Sequence, residues 1–194
     1  MRFKSLSALA VTAALLPFLA QADGPSYTYL EGAYVNTDID GFNEELDGFA
    51  LRGSFEITEQ WFMFAGYSNQ SADYRGVDLD FEQMNLGVGF AWPISSTTDV
   101  YGKVGYVQAE ADANGFDIDD DGYQLGVGLR GRVAEQFELE GALNYVDLSD
   151  SGDDTSFGVG ARWFFTPQFA LGLEGDFGDD VTTYGVAFRW NFGQ

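Results

Sequence analysis

Asp117, Asp119 and Asp121, followed by Gly122, have the spacing that opens a calcium-binding loop, with carboxylates at the first, third and fifth positions and glycine at the sixth. Such a loop also needs a bidentate acid at its twelfth position, and Gly128 stands there. An EF-hand is therefore excluded. The three carboxylates remain candidate ligands for weak Ca²⁺ or Mg²⁺ binding, for example between loops. The plainer reading is solvation and mutual repulsion at a surface.

A second set of residues can do electrostatic work. Arg52, Glu56, Lys103, Arg130, Arg132, Glu138, Glu140, Arg162, Glu174 and Arg189 share one phase of a two-residue alternation, together with Glu31 and Asp176. Six of these twelve are basic and six acidic. If they converge they can pair and fill a narrow space, because unpaired buried charge is costly. Glu31 and Asp176 lie near strand ends, where a solvated position is the simpler expectation.

Other chemistry is missing. The chain has no His and no Cys, so no Ser-His-Asp or Cys-His arrangement, disulfide or thiolate metal site can be built. Carboxylate pairs could support glycoside hydrolysis, but nothing gathers two of them in a cleft. No enzyme activity and no cofactor beyond weak divalent cations is expected. The glycines of Gly87-Val-Gly89 and Gly126-Val-Gly128 belong to strands and precede no helix, so they are not phosphate loops.

The elements that carry these residues are strands. Tyr184 to Phe192 sets Tyr184, Val186, Phe188, Trp190 and Phe192 on one side and Gly185, Ala187, Arg189 and Asn191 on the other. Similar alternation gives ten segments: Tyr27–Thr37, Gly48–Ile57, Trp61–Gln70, one ending at Trp92, Asp99–Glu110, Tyr123–Val133, Phe137–Tyr145, Phe157–Phe165, Phe169–Phe177 and Tyr184–Phe192. Short turns alternate with longer or more acidic stretches: Asp38–Asp47, Asn69–Asp80, Ala111–Asp121, Asp147–Thr155 and Gly178–Asp180. Eight strands would result if the segment from Phe169 onward formed no hairpin. A repeat orients the ambiguous third strand. Ile57-Thr-Glu-Gln-Trp61 resembles Val133-Ala-Glu-Gln-Phe137 and Phe165-Thr-Pro-Gln-Phe169, whose flanking residues lie on apolar faces, so Trp61 is placed there too.

Residues 1–22 read as a secretory signal peptide. Arg2 and Lys4 precede an apolar run to Leu19, and Ala20-Gln21-Ala22 fits cleavage after Ala22. Without Arg2 and Lys4, seven cationic residues face 31 acidic ones, a net charge of −24. That charge repels nucleic acid. No later run reaches the roughly 18 apolar residues of a spanning helix. An exported chain whose greasy strand faces carry no charge except Glu82, a borderline case near the mouth of the fourth strand, predicts an all-β, up-and-down antiparallel transmembrane barrel over residues 23–194. Lipid covers its apolar face, the charges plug its lumen, and its acidic loops meet the cell surface. A soluble sandwich would have to bury the aromatic face between two sheets.

Ser26-Tyr-Thr-Tyr-Leu-Glu-Gly-Ala-Tyr34, Phe64-Ala-Gly-Tyr-Ser68, Leu86-Gly-Val-Gly-Phe90 and Gly122-Tyr-Gln-Leu-Gly-Val-Gly128 resemble the small outer-membrane β-barrel family of gammaproteobacteria, most nearly its xanthomonad-type members linked with biofilm and surface traits. The resemblance spans roughly Ser26 to Phe192. It implies a monomeric bacterial outer-membrane protein in contact with lipid and lipopolysaccharide. It also implies insertion by the barrel-assembly machinery, which reads C-terminal aromatics, here Tyr184, Phe188, Trp190 and Phe192. Such barrels usually end on the last aromatic, whereas Gly193-Gln194 follow it here. The function implied is structural or adhesive, and the alternative is a narrow cation-preferring channel with acidic mouths.

Overall fold

The computed structural model describes residues 24–41, 44–74, 77–113 and 116–192. The signal peptide and Gly193-Gln194 lie outside the described residues. Ten strands run Tyr29–Ile39 (β1), Leu46–Glu56 (β2), Trp61–Tyr74 (β3), Val77–Pro93 (β4), Thr98–Ala113 (β5), Phe116–Ala134 (β6), Phe137–Leu148 (β7), Gly152–Phe164 (β8), Phe169–Phe177 (β9) and Val181–Asn191 (β10). They form one closed barrel in which each strand pairs with its sequence neighbours. β10 closes on β1 in antiparallel register, from Tyr29 opposite Asn191 to Ile39 opposite Val181. The eight-strand alternative is removed, because β9 and β10 pair from Trp190–Phe169 to Thr182–Phe177.

Closure separates the two faces of every strand. Leu, Val, Phe, Tyr and Trp of one phase project from the barrel and stay exposed, while Arg, Glu and glycine of the other phase line the lumen. Trp61 projects outward and Phe62 is buried inside. The repeat has a local cause. Thr58 Oγ1 accepts the amides of Gln60 and Trp61 at 3.3 and 3.0 Å, and Thr166 Oγ1 accepts those of Gln168 and Phe169 at the same distances. A threonine at the first turn position thus holds the backbone reversal that a three-residue connection requires.

Lumen glycines make room for large cross-strand neighbours. A Cβ on Gly128 would come within 2.5 Å of the Tyr101 ring, and one on Gly89 within 2.1 Å of Phe62. These rings lie flat on the wall because no side chain stands opposite them.

Several expected boundaries differ, among them the start of β8 at Gly152 within the expected loop Asp147–Thr155. The first strand begins at Tyr29, and Pro25 to Thr28 are instead buried at the end of the barrel that carries the short turns. Tyr27 stacks on Phe62 with ring centroids 4.5 Å apart and meets Tyr101 edge-on at 6.3 Å. The stretches Asn69–Asp80 and Ala111–Asp121 are largely strand rather than loop. They extend β3–β4 and β5–β6 into hairpins taller than the rest of the barrel. Their acids had suggested solvated loops, but alternation persists through them, so the ladder continues.

Candidate functional site: an ion-paired lumen below an acidic rim

The lumen near the short turns holds a connected network of arginine and glutamate. Glu31, only 1% exposed, accepts from Arg189 Nε at 2.7 Å, Arg162 Nε at 3.2 Å and Arg52 Nη1 at 3.1 Å. Glu138, fully buried, accepts from Arg130 Nε at 2.8 Å and lies 3.5 and 3.6 Å from Arg189 Nη1 and Arg162 Nη1. Arg132 Nε is 4.0 Å from the other Glu138 oxygen. Glu140 accepts from Arg162 Nη1 at 2.7 Å and from the Tyr101 hydroxyl at 2.6 Å. Arg52 makes a two-pronged pair with Glu174.

Register explains the convergence. Arg189 and Arg52 flank Glu31 across β10, β1 and β2. Arg162 and Arg132 flank Glu138 across β8, β7 and β6. Opposite charges therefore alternate around the inner wall. Arginine suits this ring because its planar cation also stacks on aromatic faces. The Arg189 guanidinium lies 3.7 Å from the Tyr29 centroid, Arg132 lies 4.0 Å from Phe164, and Arg130 lies 5.1 Å from Tyr27.

Eight of the ten lumen residues named from sequence enter this network, and two do not. Glu56 instead accepts the Tyr27 amide at 2.8 Å, which ties the N-terminal segment to the barrel end. Lys103 lies over the Phe64 ring at 5.9 Å, away from the arginines' ion pairs. The centre of the network is Glu31, which sequence reasoning assigned to a wet end. Its phase on β1 was the available signal. The network borders a lumen cavity of about 410 Å³, whose wall includes Glu31, Arg52 and Arg162 together with Lys103, Asn144 and Asp176.

Asp117, Asp119 and Asp121 occupy alternate positions of β6. Alternate residues of a strand are about 6.6 Å apart, so these three positions are spaced along an extended strand rather than wrapped in a loop. Among the described residues no group of three or more acidic side chains is placed to hold a metal ion. Asp121 instead bonds with the Tyr106 hydroxyl. Similar pairs recur around the barrel: Tyr123 donates to Asp147 Oδ2 at 2.8 Å, Tyr34 bonds with Asp47, and Tyr67 with Glu82. Each joins an outward tyrosine to a carboxylate on a neighbouring strand.

These features match a known family. The model of the outer membrane protein beta-barrel domain fits residues 6–165. The chain belongs to that family. β9 and β10 follow the matched stretch, but the ring they close is the same one. Solved outer-membrane proteins are similar at low identity. OprG from Pseudomonas aeruginosa is 13% identical over 90% of this chain and 99% of its own, with a TM-score of 0.50. Ail of Yersinia pestis, in complex with the heparin analogue sucrose octasulfate, is 16% identical over 84% and 95%, with a TM-score of 0.46. Neisserial surface protein A is 14% identical over 88% and 100%, with a TM-score of 0.40. No curated protein matches the sequence.

For an outer-membrane barrel the exposed apolar wall is the lipid face. All four tryptophans, Trp61, Trp92, Trp163 and Trp190, project outward near the short turns, and the tyrosine–carboxylate pairs form a second belt towards the long hairpins. Tyr184 to Phe192 covers about 26 Å of strand at ~3.3 Å per residue. A tilt of about 40° reduces this to roughly 20 Å, near the ~25 Å apolar band of such barrels. Tyr184, Phe188, Trp190 and Phe192 all lie on this face. An Arg or Lys there would cost about 2–4 kcal/mol at the bilayer midplane; inside, the same arginines meet carboxylates.

Proposed function

We propose that this protein is a monomeric, non-enzymatic cell-surface barrel whose lumen is plugged and whose long acidic hairpins interact with partners outside the cell. The arginine–glutamate network carries the reading, because it crosses the lumen beside the Tyr27–Phe62–Tyr101 stack and leaves the tall hairpins as the accessible part. The signal peptide directs export and is cleaved after Ala22. Insertion is directed by Tyr184, Phe188, Trp190 and Phe192 through the barrel-assembly machinery. The xanthomonad-type resemblance supports an adhesive or biofilm-related role.

Charge narrows the partner. Arg52, Lys103, Arg130, Arg132, Arg162 and Arg189 all point into the lumen, so among the described residues no cation faces outward. A polyanion of the kind bound by Ail is repelled by this surface, and a cationic partner is favoured. A narrow cation-preferring channel is the second reading, favoured by the roughly 410 Å³ lumen cavity with Asp176 in its wall. Planar-bilayer recording of the refolded protein separates the two. The plugged barrel gives no stable conductance, and steady cation-selective steps would replace it with the channel.

A further inference from the structure

Lys103 and Asp176 both line the lumen cavity, and among the described residues neither forms an ion pair. Register and contacts set them on one stretch of wall. Lys103 on β5 stands opposite Gly126 on β6, which stands opposite Asn144 on β7. A Cβ on Gly126 would come within 2.4 Å of Lys103 Cε and 3.2 Å of Asn144 Oδ1, so the lysine stem lies across that glycine towards the asparagine. From its other side Asn144 Nδ2 donates to Asp176 Oδ2 at 3.3 Å. Both of these atoms border Gly158, at 3.4 and 3.0 Å from where its Cβ would stand. One cation and one carboxylate thus flank a single asparagine. Glu140 also acts on Lys103 through space, but its two oxygens are engaged by Tyr101 and Arg162.

The same wall holds two orphaned polar atoms. Gln124 Nε2, a donor, and Asn144 Oδ1, an acceptor, are buried without a hydrogen-bond partner among the described residues. Buried polar groups are ordinarily satisfied, so this wall favours an occupant that both accepts and donates. The cavity, about 410 Å³, lies within the ~300–1,000 Å³ of small-molecule pockets. Its end near the short turns is closed. Gly24 to Thr28 crosses that end towards the turn between β4 and β5, where a Cβ on Gly24 would lie 3.5 Å from the Ser96 carbonyl oxygen. The Phe192 amide donates to the Thr28 carbonyl at 3.3 Å and fixes the near end of this strap. A solute therefore reaches the wall from the hairpin end.

We propose that this cavity binds a small zwitterion, with its anionic group on Lys103 Nζ and Gln124 Nε2 and its cationic group on Asp176 and Asn144 Oδ1. The twelve inward charges are six of each sign, so an occupant with a net charge would unbalance a desolvated interior. A lone anion meets Lys103 and leaves Asp176 without a cation. A lone cation does the reverse. A neutral polar solute satisfies the two amides and pairs neither charge. The site lies inside the lumen and goes beyond the surface role, because it does not depend on what the hairpins meet.

The test uses the refolded full mature chain in phosphatidylcholine nanodiscs, with empty nanodiscs as the lipid control. The probes are β-alanine, 4-aminobutyrate and 5-aminopentanoate, with propionate and propylammonium as single-charge controls. Saturation-transfer NMR titrations give Kd for each. Saturable binding of at least one amino acid is expected, and the tether that binds best reads the gap between the two charges. Neither control should saturate. Lys103→Gln and Asp176→Asn should each raise Kd about tenfold, a ΔΔG of ~1.4 kcal/mol, while Asp119→Asn on the outer face leaves it unchanged. Heat-modifiable mobility shows which variants fold, and the ligand series decides without them if they do not. Propionate binding as tightly as the amino acids would overturn the proposal in favour of an anion site, and equal binding of propylammonium in favour of a cation site. An equal loss in Asp119→Asn would reassign the binding to the acidic exterior. Unchanged Kd in folded Lys103→Gln, or no saturable binding by any amino acid, would end it and leave a cavity for water alone.

Discussion

Replacing Glu31 with alanine is the sharpest perturbation of the lumen. Arg52 keeps Glu174, and Arg162 keeps Glu140 at 2.7 Å. Arg189 loses its 2.7 Å hydrogen bond and retains only Glu138, at 3.5 Å. Stranding one partner of a buried pair costs about 3–5 kcal/mol, and here the cost falls mainly on Arg189, which is 2% exposed. Glu31→Ala should therefore destabilise the barrel by about 3–5 kcal/mol. Glu31→Leu/Arg189→Leu should recover part of that loss, because no uncompensated charge remains between the two positions. Urea unfolding in lipid vesicles, followed by heat-modifiable gel mobility, measures both. A loss below about 1 kcal/mol, the range of solvent-exposed pairs, would refute the reasoning and show that water fills the space assigned to the network.

Gly128→Val should cost about 1–3 kcal/mol through overpacking, because its Cβ meets Tyr101 at 2.5 Å. Gly141→Ala, with nothing within 4 Å, should be neutral or slightly stabilising in the same unfolding assay. Asp120 accepts the amides of Asp150 at 3.1 Å and Ser151 at 2.7 Å, and bonding with Ser151 holds its carboxyl below the usual aspartate range. A carboxyl depressed on folding stabilises above its unfolded titration point and loses that contribution as pH falls through the folded value. Protection of the Asp150 and Ser151 amides from hydrogen exchange, taken relative to the intrinsic rate at each pH, should accordingly fall on acidification, and Asp120→Ala should show the lowered protection already at neutral pH. Calorimetric titration with Ca²⁺ should give no saturable heat that Asp119→Asn or Asp121→Asn removes, since β6 holds these groups extended.

Much of the fold was legible because a barrel strand has two simple environments. Strand number, facing and the placement of Trp61 follow from a period of two and from the threonine turns. What failed was the assumption that acidity means loop. In Ala111–Asp121 the carboxylates other than Asp120 alternate with Ala111, Ala113 and Ile118, which is still a strand pattern with its greasy side exchanged. Counting acids conceals that reversal. Glu31 was misjudged for another reason. Proximity to the first strand's start suggested water, but Tyr27 and its neighbours fold under the barrel and seal that end. Partner choice within the network was also hidden, since Glu56 and Lys103 share the phase of the arginines and only barrel curvature decides which groups meet.

The central claim is that the aromatic wall touches lipid while the ionic wall is enclosed. All four tryptophans lie on the first wall, so native fluorescence reports on it without labels. The account predicts strong quenching by lipids brominated along the acyl chain and little quenching by aqueous acrylamide. Strong acrylamide quenching with no response to brominated lipid would contradict it.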